Sequence, residues 1–274
     1  MTERLHITSR TNERVKSLVR LRNRRQRDEA GLTIIEEETV IRRSLEAGYP
    51  RTEVWYCPQR ESPAIRALRD ELLSGAAVAI EADGPVMDKV SYRDESDGLL
   101  VVAPQVRRRL DELELPADRP PLLVILEAVE KPGNLGAVQR IADGAGCQAV
   151  IVCDGGTDLF NPNVLRASRG ACFAIPTVAA GGNAVRSWLD ARGVRTLATS
   201  PMATATWDMA DFTGPVAIVL GTEHQGLTQD WLDTTDENIA IPMAGIGDSL
   251  NVAATAAVLL FEAVRQRRAP QEAE

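Results

Sequence analysis

Leu122-Leu-Val-Ile-Leu-Glu-Ala-Val129, followed closely by Asn134-Leu-Gly-Ala-Val-Gln-Arg140, is the stretch on which the fold turns. The first run is apolar on both faces, as a strand buried between two layers requires, and the second opens a helix over 135–145. The same alternation continues to the end of the chain. Strands read at 149–153, 174–178, 196–199, 216–220 and 239–241. Helices read at 161–168, with Pro162 just inside its start, at 184–191, and over an Ala-rich segment at 249–267. Doubly apolar strands alternating with helices predict a parallel sheet covered on both sides, so the fold class is α/β.

Working back toward the N-terminus, 32–35, 54–57, 76–80 and 99–103 read as strands and 39–47 and 65–73 as helices. Together with an arm and a basic helix over 5–30 they make a smaller α/β unit, residues 1–105. Residues 106–120 are charged and then Pro-rich and read as a linker. The larger unit occupies 121–268, and 269–274 is a Glu/Ala tail.

With 274 residues, 44% hydrophobic and 26% charged, the composition is that of an ordinary soluble globular protein. No apolar run is long enough to span a bilayer, and the polar, basic start does not read as a secretory signal, so no membrane partner is expected. Cys57, Cys147, Cys153 and Cys172 lack metal-ligand spacing and form no CxxC pair, and no His/Asp/Glu cluster has metal spacing. No metal is expected, and a reduced cytoplasmic setting is. The net charge of −8 speaks against nucleic acid, but its distribution does not: residues 1–27 hold nine Lys/Arg and two Glu, a local +7. Such an arm can hold phosphates, because screening makes local charge decide the contact; a solvated helix face accounts for it equally.

Three stretches, each after an apolar run, combine small residues with groups able to grip a ligand: 134–140, Leu220-Gly-Thr-Glu-His-Gln-Gly-Leu227, and Ile241-Pro-Met-Ala-Gly-Ile-Gly-Asp-Ser-Leu-Asn251. Arg140 needs an anion, which a substrate phosphate or a salt bridge to Glu130 or Asp143 would supply. Glu223 is a site acid or a first-turn acid of the helix near 227–232. In the third stretch Gly245 and Gly247 let backbone approach a ligand, and Asp248 or Ser249 caps the closing helix. That leaves Asn251, a poor helix former, without a structural task. The glycine spacing does not fit a dinucleotide fingerprint, and Walker A and nucleophile-elbow motifs are missing, so the site is expected to act by positioning.

The three stretches, in this order, resemble the motifs of the SpoU (TrmH-like) RNA ribose 2'-O-methyltransferases of the knotted SPOUT superfamily. NPNVLRASRG resembles a segment these enzymes carry between their first two motifs. Residues 5–105, opening ITSRTNERVKSLVRLRNRRQRDEAG, resemble the L30e-like RNA-binding domain that precedes the catalytic one. One departure is plain: that domain has Glu-Gly after its first strand, whereas here Glu36 is followed by Glu37.

The resemblance implies a trefoil-knotted catalytic domain that binds S-adenosylmethionine and pairs as a homodimer through this domain. The cofactor-side positions are Thr199, Gly221, Ile241, Met243 and Leu250. Asn134, Arg140, Glu223, Ser249 and Asn251 match the catalytic and ribose-side residues, with Arg140 either the base or a clamp on the adjacent phosphate. RNA contacts are expected from Arg10, Arg14, Lys16, Arg20, Arg24, Arg27 and Arg166. The implied reaction is methyl transfer to a ribose in RNA, 23S ribosomal RNA foremost. Transfer RNA is the rival substrate, and a silent RNA-binding protein of the same fold is the rival class. The closing segment also resembles the antibiotic-resistance members.

Overall fold

Two separate sheets form, of five and seven strands. The computed structural model describes residues 3–76, 78–93, 96–222 and 225–268. These divide into one unit of residues 3–106 with Phe160–Phe173, and another of Arg107–Leu159 with residues 174–268.

The first unit runs β1 (Glu3–Ile7), α1 (Glu13–Arg20), α2 (Arg24–Ala30), β2 (Leu32–Ile35), α3 (Glu38–Glu46), β3 (Glu53–Tyr56), α4 (Pro63–Leu73), β4 (Val78–Ala82), α5 (Gly84–Val90) and β5 (Leu99–Pro104). Its mixed sheet has the order β1-β4-β3-β5-β2. The start of the chain is therefore not a free arm: β1 pairs in parallel with β4, Leu5 opposite Ile80. The basic stretch also differs from the single helix expected. The side chains of Asn12 and Asn23 each accept a backbone N–H two residues on and cap two short helices, and Gly31 at φ 64° ends the second. Val15 and Leu18 of α1 pack under the sheet with Trp55, Ile80 and Leu100.

Glu37, the departure noted in the sequence, sits at φ 72° and ψ 131° as it leads into α3. This is a backbone region that glycine occupies freely and a side chain does not. Its neighbour Glu36 is mostly buried and accepts the Tyr92 backbone N–H at 2.8 Å.

The second unit starts within the expected linker. Arg108 bridges to Val178, residues 110–112 form a 3-10 turn, and Leu113 is buried in the core beside Leu123 and Val178. The apolar Leu110, Leu113 and Leu115 hold this segment down despite the charges between them. There follow β6 (Leu122–Glu127), α6 (Pro132–Gly144) and β7 (Ala149–Cys153). Next come α7 (Pro162–Ala167) and α8 (Ala171–Ala174), then β8 (Thr177–Ala180), α9 (Gly182–Asp190), β9 (Arg195–Thr199), β10 (Ala205–Thr206), β11 (Val216–Leu220), α10 (Gln229–Thr234), β12 (Glu237–Ala240) and α11 (Val252–Arg268). The sheet is parallel throughout, in the order β10-β12-β9-β11-β6-β7-β8.

Phe160–Phe173, read in the sequence as part of the second unit, packs with the first. Thr33 Oγ1 donates to Phe160 O at 2.7 Å, Leu165 is buried beside Ile41 and Leu68, and Phe173 packs on Tyr49 with the rings tilted by 56°. The strand expected at 174–178 starts later, at Thr177, because α8 occupies 171–174. Among the described residues no helix is long and apolar enough to cross a membrane.

Candidate active site

Parallel strands deliver their C-terminal ends to one edge of the sheet, and in the second unit three such exits meet there. β9 ends at Thr199, β11 at Leu220 and β12 at Ala240, and β9 lies between the other two. Beyond them is a cavity of about 310 Å³, a size suited to a small-molecule cofactor. Thr199, Ser200 and Pro201 line it from β9, Leu220, Gly221, Thr222, Gln225 and Gly226 from β11, and Ile239 and Ile241 from β12. Asp248, Ser249, Leu250, Val252 and Thr255 close it from the third stretch and the start of α11. Apolar Leu220, Ile239, Ile241, Leu250 and Val252 share the lining with the hydroxyl-bearing Thr199, Ser200, Thr222, Ser249 and Thr255. A flat aromatic ring bearing a hydroxylated sugar fits such a lining.

Past β11 the backbone at Thr222 lies against that of Gly226. Thr222 and Gly226 exchange backbone hydrogen bonds of 3.1 and 3.0 Å. A Cβ at Gly221 would lie 2.2 Å from the Gly226 carbonyl, so the loop's own backbone, not a ligand, requires glycine there. Gly245 and Gly247, by contrast, have open space where a side chain would stand, with no described residue crowding it.

Of the expected cofactor-side residues, Thr199, Gly221, Ile241 and Leu250 line the cavity, and Met243 does not; it lies on the exposed loop beyond Ile241. Ser249 lines the cavity as well. Asn251 has a structural task after all: its side chain accepts the Ala253 N–H at 2.9 Å and its carbonyl accepts the Thr255 N–H, so it, and not Asp248 or Ser249, caps α11. Its amide nitrogen donates in turn to Asn134 Oδ1 at 3.3 Å, joining the first stretch to the third.

Asn134 lies in the first turn of α6, which packs on α11. Arg140 follows six residues later, about 9 Å along the helix axis, with its guanidinium exposed. Neither Glu130 nor Asp143 pairs with it; among the described residues it has no ion-pair partner. It also sits mid-helix, so opposition to the helix dipole is not what calls for an anion. Glu223 and His224 lie outside the described residues.

Burial pushes the Cys147 and Cys153 thiols up to about 12, with the carboxylates of Asp154 and Glu127 adding to the effect at Cys153. Neither is a thiolate at neutral pH, so neither offers a nucleophile.

Of the expected RNA-binding residues, Arg10, Lys16, Arg20, Arg24 and Arg166 are exposed and Arg14 is half-buried. Several carry partners: Arg14 pairs with Glu53 at 2.8 Å, Lys16 with Glu13 at 2.6 Å and Arg24 with Asp28 at 3.5 Å. Arg10 donates to Pro85 O, and Arg166 donates to Asn163. Arg27 must be removed from the set. It is 1% exposed, and its guanidinium donates to the carbonyls of Leu21 and Arg22, closing the turn between the two basic helices. The sequence did not single out Glu127, whose carboxylate holds Thr228 at the far end of the β11 loop. An acid interrupting an otherwise apolar strand was the available signal.

The SpoU rRNA Methylase family matches residues 121–261, and the MRM3-like substrate binding domain matches residues 12–101. The 23S rRNA (guanosine-2'-O-)-methyltransferase RlmB of Ralstonia nicotianae is 36% identical over 209 residues, 74% of this chain and 84% of that one. The 23S rRNA (uridine(2479)-2'-O)-methyltransferase of Streptomyces viridochromogenes is 30% identical over 90% of this chain and 87% of its own. Among solved structures, the AdoMet-bound rRNA methyltransferase from Sinorhizobium meliloti superposes with a TM-score of 0.86 at 28% identity, covering 96% of this chain and 98% of that one.

Proposed function

The chain belongs to the SpoU rRNA methylase family, and on that premise we propose that it transfers a methyl group from S-adenosylmethionine to a ribose 2'-hydroxyl of 23S ribosomal RNA. The observation that carries this reading is the meeting of all three stretches at one sheet edge. The second and third wall a single cavity, and the first joins them through the Asn134–Asn251 hydrogen bond. When bound, S-adenosylmethionine supplies an electrophilic methyl on a sulfonium. The residues around it need only bind and orient, and alignment accounts for much of the rate.

In this reading Thr199, Gly221, Ile241 and Leu250 hold the cofactor, and Ser249 stands at the cavity wall toward the ribose. The Asn134–Asn251 pair orients the ribose, joined by Glu223 on the strength of the family resemblance alone. Arg140 has an exposed guanidinium with no ion-pair partner among the described residues. Its planar fork of N–H donors suits it to hold the phosphate beside the target ribose and to stabilise oxyanion character as the 2'-hydroxyl gives up its proton to water.

Substrate RNA is gripped by the first unit, through Arg10, Lys16, Arg20 and Arg24 on its basic helices and Arg166 on α7. We assign the second unit the family's trefoil knot, and a homodimer built on the exposed apolar side chains Met243, Ile246 and Phe261 of its closing segment. A cytoplasmic site of action follows from the substrate.

Sequencing-based mapping of 2'-O-methylation in ribosomal and transfer RNA, from cells with and without the protein, tests the reading. A ribose in 23S RNA that gains its methyl only with the protein is expected. Methylation confined to transfer RNA, or no change together with no cofactor binding in calorimetry, would replace it.

A further inference from the structure

β6 is apolar until its last residue. Glu127 is 3% exposed, and both carboxylate oxygens are engaged: Oε2 accepts the Thr228 backbone N–H and Oε1 the Thr228 hydroxyl, each at 2.7 Å. Among the described residues no Lys or Arg pairs with it. Burying a carboxylate without a cation costs free energy that a neutral residue of similar shape would avoid. What the side chain contributes here is two hydrogen bonds to one residue, at a defined place.

That place is the far end of the loop that follows β11. At its near end the loop is anchored by the sheet, where Leu220 lies opposite Leu126 on β6. Within it Thr222 and Gly226 exchange backbone hydrogen bonds, and Gly221, Thr222, Gln225 and Gly226 form one wall of the cavity. Thr228 is where the loop turns into α10. Glu127 thus ties the exit of the loop to the same strand that anchors its entrance. The strand itself is fixed on both sides by β11 and β7, and just past Glu127 the chain turns away at Ala128, φ 53°, toward α6 and Asn134. Glu127 does not line the cavity.

We infer that Glu127 is a positioning residue: through Thr228 it sets the cavity-lining residues Gly221, Thr222, Gln225 and Gly226 in the arrangement that receives the cofactor, without touching the cofactor itself. This rests on the cavity being the S-adenosylmethionine site.

The test compares wild type, Glu127→Ala and Glu127→Gln in calorimetric titrations with S-adenosylmethionine, in steady-state RNA methylation, and in thermal unfolding. Loss of the tie in Glu127→Ala is expected to weaken cofactor binding about tenfold, with KM for the cofactor rising in step while kcat and KM for RNA hold. Glutamine can still accept the Thr228 N–H and can donate to its hydroxyl, so Glu127→Gln recovers most of that loss. A Glu127→Ala protein that binds the cofactor as wild type does, or that loses kcat and not cofactor affinity, overturns the inference. So does a Glu127→Gln variant as weak as alanine, which would assign the effect to charge. Should Glu127→Ala fail to fold, Thr228→Val removes only the hydroxyl arm; about threefold weaker binding is expected, and unchanged binding overturns the tie. If wild type itself binds no S-adenosylmethionine, the cofactor reading falls first, separately from the role of Glu127.

Discussion

Replacing Glu37 with glycine is expected to stabilise the first unit, against the usual effect of introducing glycine. Glu37 stands at φ 72° and ψ 131°, where a Cβ crowds the backbone. A non-glycine residue held in such a region costs about 2 kcal/mol. What the side chain returns is small: its carboxylate lies 4.0 Å from the Arg93 guanidinium, both partly exposed, a contact worth about 0.5 kcal/mol. It also makes no capping hydrogen bond to α3. Glycine's greater freedom in the unfolded chain takes back about 0.7 kcal/mol. The net gain is about 1 kcal/mol, or about 4 °C in the unfolding midpoint of a unit of this size. Glu37→Ala separates the two effects, because alanine loses the ion pair and keeps the strain. Differential scanning calorimetry of wild type, Glu37→Gly and Glu37→Ala should rank glycine above wild type and wild type above alanine. Alanine equal to or above glycine, its normal order in folded proteins, would show that the backbone at residue 37 is not strained and refute the reasoning.

Arg140→Ala should abolish methyl transfer while binding S-adenosylmethionine with unchanged affinity in calorimetry, and near-normal turnover would refute its assigned role. Burial, outweighing the Tyr92 N–H bond, holds the Glu36 carboxyl above its ordinary 4.5. Its contribution to stability is therefore fully present below that value and lost as pH rises through the folded one. Glu36→Gln should accordingly gain on wild type in urea midpoint between pH ~4.5 and neutrality, whereas a pH-independent difference would contradict the shift. Arg267 gathers the carbonyl oxygens of Phe212 at 2.8 Å, Gly214 at 2.7 Å, Pro120 at 2.8 Å and Pro121 at 3.1 Å. Lysine cannot reproduce that planar fork, so Arg267→Lys should lower denaturant stability by about 2–3 kcal/mol, and a loss under about 0.5 kcal/mol would deny the anchor.

The strands of the second unit were legible because each is a short run with no polar face, and only burial between two layers suits such a run. The positions flanking them were less legible. Asn251 had no structural task legible in the sequence, since its capping bond to Ala253 and its link to Asn134 depend on where α11 begins and on what packs beside it. Arg27 looked like one more cation of a basic helix. Only the break at Asn23 folds α2 back so that its guanidinium is buried against the Leu21 and Arg22 carbonyls. The charged residues 107–115 looked like a linker because charge is visible in a sequence, whereas three leucines become an anchor only once a core lies beneath them.

By itself, then, the sequence determined the α/β class and the order of the three ligand-gripping stretches, since strand runs and loop chemistry are local properties; Thr199, Gly221, Ile241, Ser249 and Leu250 were expected at the site from the family resemblance. Tertiary structure alone decided that Phe160–Phe173 packs with the first unit, that Glu127 reaches Thr228, and that Arg140 is free of Glu130 and Asp143. Each of these depends on which residues, distant along the chain, meet once the sheets have formed, and local spacing carries no record of that.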